Sequence, residues 1–268
     1  MTEYVHGYSE RETQRLFDQA ASVRDLLHHD TRYDAGARVL EAGCGVGAQT
    51  VTLAKNSPDA HFVSIDIAED SLAEAAALIE REHLTNVAFR RADVYDLPFD
   101  EASFDHVFVC YLLEHVPDPD GALTALARVL KPGGTMTVIE GDHGSCRWHP
   151  ETDAARRAWQ CLIDVQAALG GDSLIGRRLY PLLAGAGLTD VRVSPRMVYG
   201  DHSRPTVVDA FWGRTIIPMV QGVRDRAIEM GLIDAESWTR GVRELHLPID
   251  RTDGTFTYTF FNAVGVKG

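Results

Sequence analysis

The sequence has no excess of positive charge. Its 268 residues include 26 lysine and arginine residues against 39 aspartate and glutamate residues, a formal net charge of −13 at pH 7. A protein that binds the phosphates of nucleic acid needs basic side chains in excess. We therefore expect no nucleic-acid partner, and we attribute the acidity to solubility.

Long hydrophobic runs are also missing. No apolar stretch approaches the roughly 20 residues that a helix needs to cross a bilayer. The first residues, Met1-Thr2-Glu3-Tyr4, lack the basic and apolar regions of a signal peptide. We therefore expect a cytoplasmic protein without a membrane partner.

Cysteine is scarce and irregularly spaced. The four cysteines form no C-x-x-C pair and are Cys44, Cys110, Cys146 and Cys161. Such spacing favours reduced, mostly buried thiols over disulfide bonds. His143, Cys146 and His149 are spaced like metal ligands, but neither a fourth ligand nor a second Cys/His pair accompanies them, so we predict no metal site.

A glycine-rich turn follows the first strongly apolar segment. Residues 39–50 read Val-Leu-Glu-Ala-Gly-Cys-Gly-Val-Gly-Ala-Gln-Thr. The pattern predicts a buried strand, a sharp turn at Gly43, bare backbone for a ligand at Gly45, and a helix that Gly47 opens. The same Gly-x-Gly-x-x-Ala spacing fits the dinucleotide fingerprint of NAD enzymes, so this turn alone leaves the cofactor open.

Short apolar segments then alternate with segments of helical periodicity. We predict strands at 39–42, 61–65, 87–90, 106–109, 135–140, 191–198 and 256–266. We predict helices at 46–55, 68–82, 119–129, 151–169, 173–185 with a kink at Pro181, and 205–230, with a shorter one from Asp234. This rhythm indicates a doubly wound α/β fold with a parallel sheet, which binds ligands beyond the carboxyl ends of its strands.

Two further regions stand outside this alternation. Residues 1–35 are predicted to form an N-terminal flap and a helix, which Ser9 and Glu12 begin as a capping box. Tyr4, His6 and Tyr8 precede that helix and either close over a bound ligand or only fix the terminus. Residues 36–268 form the main domain, and a helical insertion at about 203–250 is expected to cap an acceptor pocket.

Two carboxylates and a second turn give the glycine turn its context. Asp66 lies about 20 residues beyond the turn, at the end of the second strand, where a carboxylate can hold both ribose hydroxyls. Asp93 follows the third strand, and Leu-Lys-Pro-Gly-Gly at 130–134 precedes the fifth. Together these residues resemble the class I S-adenosylmethionine-dependent methyltransferases, closely over 38–140 and more loosely elsewhere.

The resemblance implies a fold, a cofactor and its contacts. The fold is a seven-stranded Rossmann-like sheet with an antiparallel last strand, and the cofactor is S-adenosylmethionine, released as S-adenosylhomocysteine. By this resemblance the methionine part lies against Glu41, Gly43, Gly45, Gly47 and Cys110, with Glu41 at the amino group. The nucleoside part lies against Asp66 at the ribose, and against Ile67, Asp93 and the Val94 N–H at the adenine.

The acceptor is less sharply indicated. Aromatic residues are frequent outside the nucleotide-binding part, namely Tyr199, Phe211, Trp148, Trp159 and Trp212. They pack in a core or suit a flat, apolar acceptor. The chain also resembles bacterial enzymes that methylate small natural products in secondary metabolism. Among these we favour methylation of indole C3, with thiol, oxygen or nitrogen methylation as alternatives.

Candidate catalytic residues follow the fourth and fifth strands. Asp142 and His143 come just past the predicted fifth strand, and His143 is either a general base or substrate orienter or a hydrogen-bonded loop histidine. Glu114 and His115 form a second candidate pair. Tyr8 is the candidate from the flap.

Two other function classes remain open on the sequence. An NAD(P)-dependent reductase would use the same glycine turn and Asp66, but would not need Asp93 in its position. A protein that binds S-adenosylmethionine without catalysis could have the same fold. For the oligomeric state, we predict a homodimer that forms through the N-terminal helix or the inserted helices.

Overall fold

The computed structural model describes residues 23–268, and seven strands run through this part of the chain. They are β1 (Arg38–Ala42), β2 (His61–Asp66), β3 (Val87–Arg91), β4 (Phe104–Cys110), β5 (Leu130–His149), β6 (Leu188–Asp201) and β7 (Thr255–Lys267). They form one sheet in the order β3-β2-β1-β4-β5-β7-β6. The last strand is antiparallel, which confirms the predicted Rossmann-like fold class.

Helices occupy most of the connections. Residues 23–28 are helical. The longer α-helices are Thr50–Asn56, Glu69–Arg81, Pro119–Val129, Asp153–Ala168, Leu179–Gly185 and Ala235–Glu244. Shorter segments are Leu113–His115, Ile175–Arg178, Pro205–Val207, Val208–Ile216, Ile217–Gly222, Arg224–Glu229 and Leu247–Asp250.

The register of the parallel strands brings their carboxyl ends together. Ala42 at the end of β1 pairs with Ile65 of β2 and with Val109 of β4. Asp66 at the end of β2 pairs with Arg91 at the end of β3. The segments that follow these four strands therefore begin at one edge of the sheet, where ligands bind in this architecture.

Two compact units make up the described chain. One of them, named unit 1 here, contains Asp142–Leu174 and Met197–Thr259. The other, named unit 2, contains Arg24–Gly141, Ile175–Arg196 and Phe260–Gly268. The sequence instead predicted a flap at 1–35 and one domain at 36–268 with an insertion, and that division stays a prediction.

The core of unit 2 lies where the strands meet the flanking helices. Val107 and Val109 of β4 and Val138 of β5 are fully buried against Leu123 and Leu126 of the helix that connects β4 to β5. Both sides of β4 are covered, which explains why that strand reads as an almost continuous apolar run.

The fifth strand is much longer than predicted. The sequence predicted a strand at 135–140 after a glycine turn, but β5 runs over Leu130–His149. Asp142 and His143 therefore lie inside the strand, so the prediction that they follow it was wrong. The predicted start at 135 was also too late, because Gly133, with φ of 77°, bends the backbone without interrupting the strand.

The single helix predicted at 205–230 was also wrong. Four segments occupy this range, and one of them, Val208–Ile216, is a π-helix. The α-helix Ile217–Gly222 follows the π-helical segment directly, and its second residue, Pro218, has no N–H to donate to an α-helical ladder. Pro181 likewise lies in the first turn of Leu179–Gly185 rather than at a kink.

No segment of residues 23–268 is a candidate for crossing a membrane, because none of the helices there combines sufficient length with sufficient hydrophobicity.

Candidate cofactor site and catalytic residues

The three glycines after β1 all have positive φ, but for different reasons. Their φ angles are 75° at Gly43, 50° at Gly45 and 82° at Gly47. A Cβ on Gly43 would lie 2.9 Å from Leu112 Cδ1, and one on Gly47 would lie 3.0 Å from Ala75 Cβ. A Cβ on Gly45 would meet nothing within 4 Å. Gly43 and Gly47 therefore permit close packing, whereas Gly45 borders open space.

The helix after this turn begins later than predicted. Its first residue is Thr50 and its N-cap is Gln49, so the prediction that Gly47 opens the helix was wrong. The positive φ of Gly47 is incompatible with the right-handed helix. Residues 45–49 instead extend the turn, and more backbone is left outside regular structure at the sheet edge.

Asp66 holds the glycine turn to the end of β2. Its Oδ2 accepts a hydrogen bond from the Gly45 N–H at 2.8 Å, and its Oδ1 accepts one from the Ala68 N–H at 2.9 Å. A carboxylate oxygen can accept more than one hydrogen bond. Asp66 can therefore accept further hydrogen bonds from the hydroxyl groups of a ligand. Its contact with a ribose stays a prediction.

Glu41 is buried and hydrogen-bonded within the fold. Its Oε2 accepts hydrogen bonds from Thr50 Oγ at 2.8 Å and from Ser64 Oγ at 2.6 Å. Burial raises the pKa of this carboxyl from its ordinary value of 4.5 to about 7. Glu41 therefore links β1, β2 and the start of the next helix, and its predicted role toward an amino group concerns Oε1 and stays a prediction.

Four further predicted cofactor residues follow β2, β3 and β4. Ile67 is exposed over 43% of its surface. Asp93 is exposed, and its Oδ1 accepts the Tyr95 N–H at 2.9 Å, which shapes the turn that contains Val94. Cys110 is buried at the end of β4, and burial raises the pKa of its thiol well above the usual range.

The segment after β4 is hydrogen-bonded to a residue that the sequence did not single out. Glu140 of β5 is fully buried, and its Oε1 accepts hydrogen bonds from the Leu112 N–H at 3.0 Å and the Leu113 N–H at 2.7 Å. Glu114, a predicted catalytic candidate, is also buried. Its Oε1 lies 3.6 Å from His115 Nε2. A carboxylate at the end of an apolar strand was the signal that could have pointed to Glu140.

The other catalytic candidates, Asp142 and His143, lie in unit 1. His143 is 4% exposed, and its Nδ1 lies 2.8 Å from the Tyr258 hydroxyl. The His143 carbonyl accepts the Trp159 indole N–H at 3.1 Å. Asp142 Oδ1 accepts the Gly144 N–H at 3.0 Å. The sequence missed Tyr258 because it lies more than a hundred residues from its partner.

His143 makes a tilted ring contact with Trp159 and an edge-to-face contact with Tyr258, and both belong to a larger aromatic group. The cluster of buried rings, which we call the aromatic cluster, consists of His143, Trp148, Trp159, Phe211, Trp212, Phe256 and Tyr258. Trp148 and Trp212 have ring centroids 5.6 Å apart, and those of Trp212 and Phe256 are 4.9 Å apart. These rings pack against one another, so they form the core of unit 1.

The remaining predicted features concern the N-terminal residues, the cysteines and a metal site. Tyr8, the flap and the capping box lie outside the described residues. All four cysteines are free and buried, as predicted. Within residues 23–268, no group of three or more His, Cys, Asp or Glu side chains is arranged to hold a metal ion.

Comparison with known proteins assigns this geometry to a family. Residues 39–134, which contain the glycine turn, Asp66 and Asp93, match the model of the methyltransferase domain family. These 96 residues therefore form a methyltransferase domain, and its glycine turn and carboxylates are of the class I S-adenosylmethionine-dependent type. S-adenosylmethionine is the cofactor of this family.

The curated relatives of the chain include methyltransferases. The chain is 32% identical over 134 residues to the 27-O-demethylrifamycin SV methyltransferase of Amycolatopsis mediterranei, which is 50% of this chain and 49% of that protein. The chain spans about half the length, or less, of the first curated relatives it matches.

Solved structures support the fold alone. A putative methyltransferase from Bacillus halodurans superposes with a TM-score of 0.57 at 16% identity, covering 92% of this chain and 100% of that one. A phosphoethanolamine N-methyltransferase of Haemonchus contortus, solved with S-adenosylhomocysteine, superposes with a TM-score of 0.56 at 17% identity, covering 93% and 53%.

The methyltransferase residues fit the cofactor of the family. Gly45 offers bare backbone beside open space, Asp66 offers carboxylate oxygens beside that turn, and Ile67 offers an exposed apolar surface. S-adenosylmethionine can use each of these contacts: bare backbone for its methionine part, carboxylate oxygens for its ribose hydroxyls, and an apolar surface for its adenine.

Proposed function

We propose that the protein transfers a methyl group from S-adenosylmethionine to a small-molecule acceptor. The observation that carries the proposal is the open glycine turn at Gly45, tied to Asp66 at the carboxyl edge of the sheet within the segment that matches the methyltransferase family. When bound, S-adenosylmethionine supplies a methyl group on a positively charged sulfur and leaves as neutral S-adenosylhomocysteine.

Each cofactor residue has a proposed part that follows from its chemistry. The turn at Gly43, Gly45 and Gly47 and the buried Cys110 border the methionine part, and Glu41 Oε1 accepts from its amino group. Asp66 accepts from the ribose hydroxyls. Ile67 covers one face of the adenine, while Asp93 and the Val94 N–H bind its edge.

For the acceptor we propose a small aromatic molecule, with an indole carbon as first choice. The support is the resemblance to natural-product methylating enzymes. The aromatic content of unit 1 supports it less than the sequence suggested, because Trp148, Trp159, Phe211 and Trp212 are buried as core. Thiol, oxygen and nitrogen acceptors remain the alternatives.

His143 is the proposed base or substrate orienter. If its Nδ1–H donates to the Tyr258 oxygen, Nε2 carries the lone pair and can accept a proton from the acceptor. A base is required only for an acceptor that must lose a proton to become nucleophilic. Asp142 beside it in β5 and Glu114 after β4 are the further candidates, and Tyr8 is the candidate from residues outside the described part.

The first test is ligand binding followed by turnover. S-adenosylhomocysteine should raise the melting temperature of the protein, whereas NADH should not. Methyl-labelled S-adenosylmethionine should then label one member of a panel of indoles, thiols, phenols and amines, and mass fragmentation should locate the methyl.

The outcomes separate the alternatives. Stabilisation by NADH alone would overturn the proposal in favour of a reductase. Binding of S-adenosylhomocysteine without label transfer to any member of the panel would count against the proposed acceptor class and in favour of a non-catalytic binder. We also propose a cytoplasmic homodimer, which light scattering on the purified protein tests.

A further inference from the structure

The segment after β4 is held in place by the end of β5. The Tyr111 N–H donates to the Ile139 carbonyl at 3.0 Å, and the next two N–H groups, of Leu112 and Leu113, donate to Glu140 Oε1. Tyr111 has φ of 56°, a left-handed conformation that costs a non-glycine residue free energy. Three successive N–H groups therefore fix a turn that the backbone alone disfavours.

This turn presses a side chain onto the glycine turn after β1. A Cβ on Gly43 would lie 2.9 Å from Leu112 Cδ1 and 3.1 Å from Leu112 Cβ. Leu112 thus occupies the space that Gly43 leaves free. Its backbone N–H is one of the two that Glu140 holds. A continuous path of contacts runs from the Glu140 carboxyl through Leu112 to Gly43.

We propose that Glu140 is a positioning residue of the cofactor site, which acts by holding Leu112 against the glycine turn. The inference rests on the proposed function, because it assumes that the turn binds S-adenosylmethionine. No contact between Glu140 and the cofactor is required. The carboxyl sets the position of residues 111–113, and these set the position of the turn.

The hydrogen bonds of Glu140 Oε1 show which substitution should preserve this role. Burial raises the pKa of this carboxyl well above its ordinary value, and the neighbouring charge of Glu114 raises it further. The amide of glutamine has nearly the same shape as this carboxyl group. Glutamine also keeps the one oxygen that accepts from Leu112 and Leu113.

Three variants and a control test the proposal. Glu140→Ala removes the acceptor, Glu140→Gln keeps it, and Leu112→Ala removes the packing on Gly43 without touching the carboxyl. Asn86→Ala is the control, because Asn86 Nδ2 donates to the carbonyls of Ala54, Ser57 and Ala60 and its loss is a purely structural defect. The measurements are the calorimetric Kd for S-adenosylhomocysteine and the melting temperature of each protein.

We expect Glu140→Ala and Leu112→Ala to raise the Kd about tenfold or more. Glu140→Gln should stay within about threefold of wild type, and Asn86→Ala should lower the melting temperature while leaving the Kd unchanged. If Glu140→Ala does not fold, the Kd values of Leu112→Ala and Glu140→Gln test the proposal in its place.

Three results would overturn the inference. These are wild-type affinity in Glu140→Ala or in Leu112→Ala, equal weakening in Glu140→Gln and Glu140→Ala, and a Kd that follows the melting temperature in all variants including Asn86→Ala. A wild-type protein that does not bind S-adenosylhomocysteine would instead overturn the proposed function itself.

Discussion

Gly45 differs from the glycines beside it in what surrounds the position of a side chain. Gly43 and Gly47 face Leu112 and Ala75, so a methyl group there would collide with the fold itself. Gly45 faces open space, and its N–H is held by Asp66. The φ of 50° favours glycine at this position, and the open space beside a carboxylate is what the proposed contact with the cofactor requires.

Substitution of Gly45 should therefore damage binding more than folding. Gly45→Ala places a methyl group in the open space and forces alanine to a φ near 50°, at about 1 kcal/mol of stability. We expect the Kd for S-adenosylhomocysteine to rise about tenfold or more. Calorimetric titration measures it.

Gly36→Ala is the matched control for this prediction. Gly36 has φ of 79° and also nothing within 4 Å of a Cβ, but it precedes β1 at the other end of the strand. The two variants should lose similar stability, and only Gly45→Ala should lose affinity. Equal affinity in both would contradict a ligand role for Gly45.

Substitution of His143 should lower the turnover number without weakening cofactor binding. His143→Ala should lower kcat strongly and leave the Kd for S-adenosylhomocysteine within about threefold of wild type, because the proposed role concerns the acceptor. Tyr258→Phe removes the hydroxyl at Nδ1 and should shift the pH dependence of kcat, since it changes which tautomer is favoured. Steady-state kinetics over pH measures both. Full activity of His143→Ala would exclude the role.

Element boundaries were predictable where a single side chain sets them. Asp118 and Asp234 begin their helices by accepting hydrogen bonds from Gly121 and Ser237, as the local sequence predicts. The start at Thr50 and the end of β5 depend instead on tertiary packing and on sheet pairing. The π-helical segment at Val208–Ile216 has the same apolar periodicity as an α-helix over so short a range, so the pattern could not reveal it.

The same distinction applies to the candidate site. The glycine turn, Asp66 and Asp93 are near their motifs in sequence, and the register of β1, β2 and β3 brings the ends of these strands to one edge, as a parallel sheet requires. Glu140 and Tyr258 have partners 27 and 115 residues away. A local sequence pattern cannot predict contacts between residues so far apart, so only the fold reveals them.

The Asp118 cap should make a measurable contribution to its helix. Asp118→Ala removes the oxygen that accepts from the Gly121 N–H at 3.0 Å and should cost about 1 kcal/mol in the free energy of unfolding. Asp118→Asn keeps a capping oxygen and should cost clearly less. Urea denaturation of both variants measures the difference, and equal losses would show that the cap is not the cause.

Two buried groups give unit 2 opposite dependences on pH. Burial raises the pKa of Glu41 to about 7 and lowers that of His28 to about 4. Between pH 4.5 and 7 the folded chain keeps the Glu41 proton that the unfolded chain has released, so rising pH lowers stability. Between pH 6.5 and 4 the unfolded chain binds a proton at His28 that the folded chain does not, so falling pH lowers stability.

The Glu41 contribution can be isolated by difference. Glu41→Gln keeps an oxygen for the Thr50 and Ser64 hydroxyls but does not titrate. Relative to wild type, its free energy of unfolding should increase by about 1.4 kcal/mol per pH unit between pH 4.5 and 7 and stay level outside that window. Urea denaturation in steps across this range measures it, and a difference independent of pH would contradict the raised pKa.

The aromatic cluster has a practical consequence for all these measurements. The four tryptophans of the chain, Trp148, Trp159, Trp212 and Trp238, all belong to unit 1. Tryptophan emission therefore reports the unfolding of unit 1, whereas far-ultraviolet circular dichroism reports helices and strands of both units. The effects predicted for Asp118 and Glu41, which lie in unit 2, must be followed by dichroism. Denaturation curves recorded both ways on one sample will show whether the chain unfolds in a single transition.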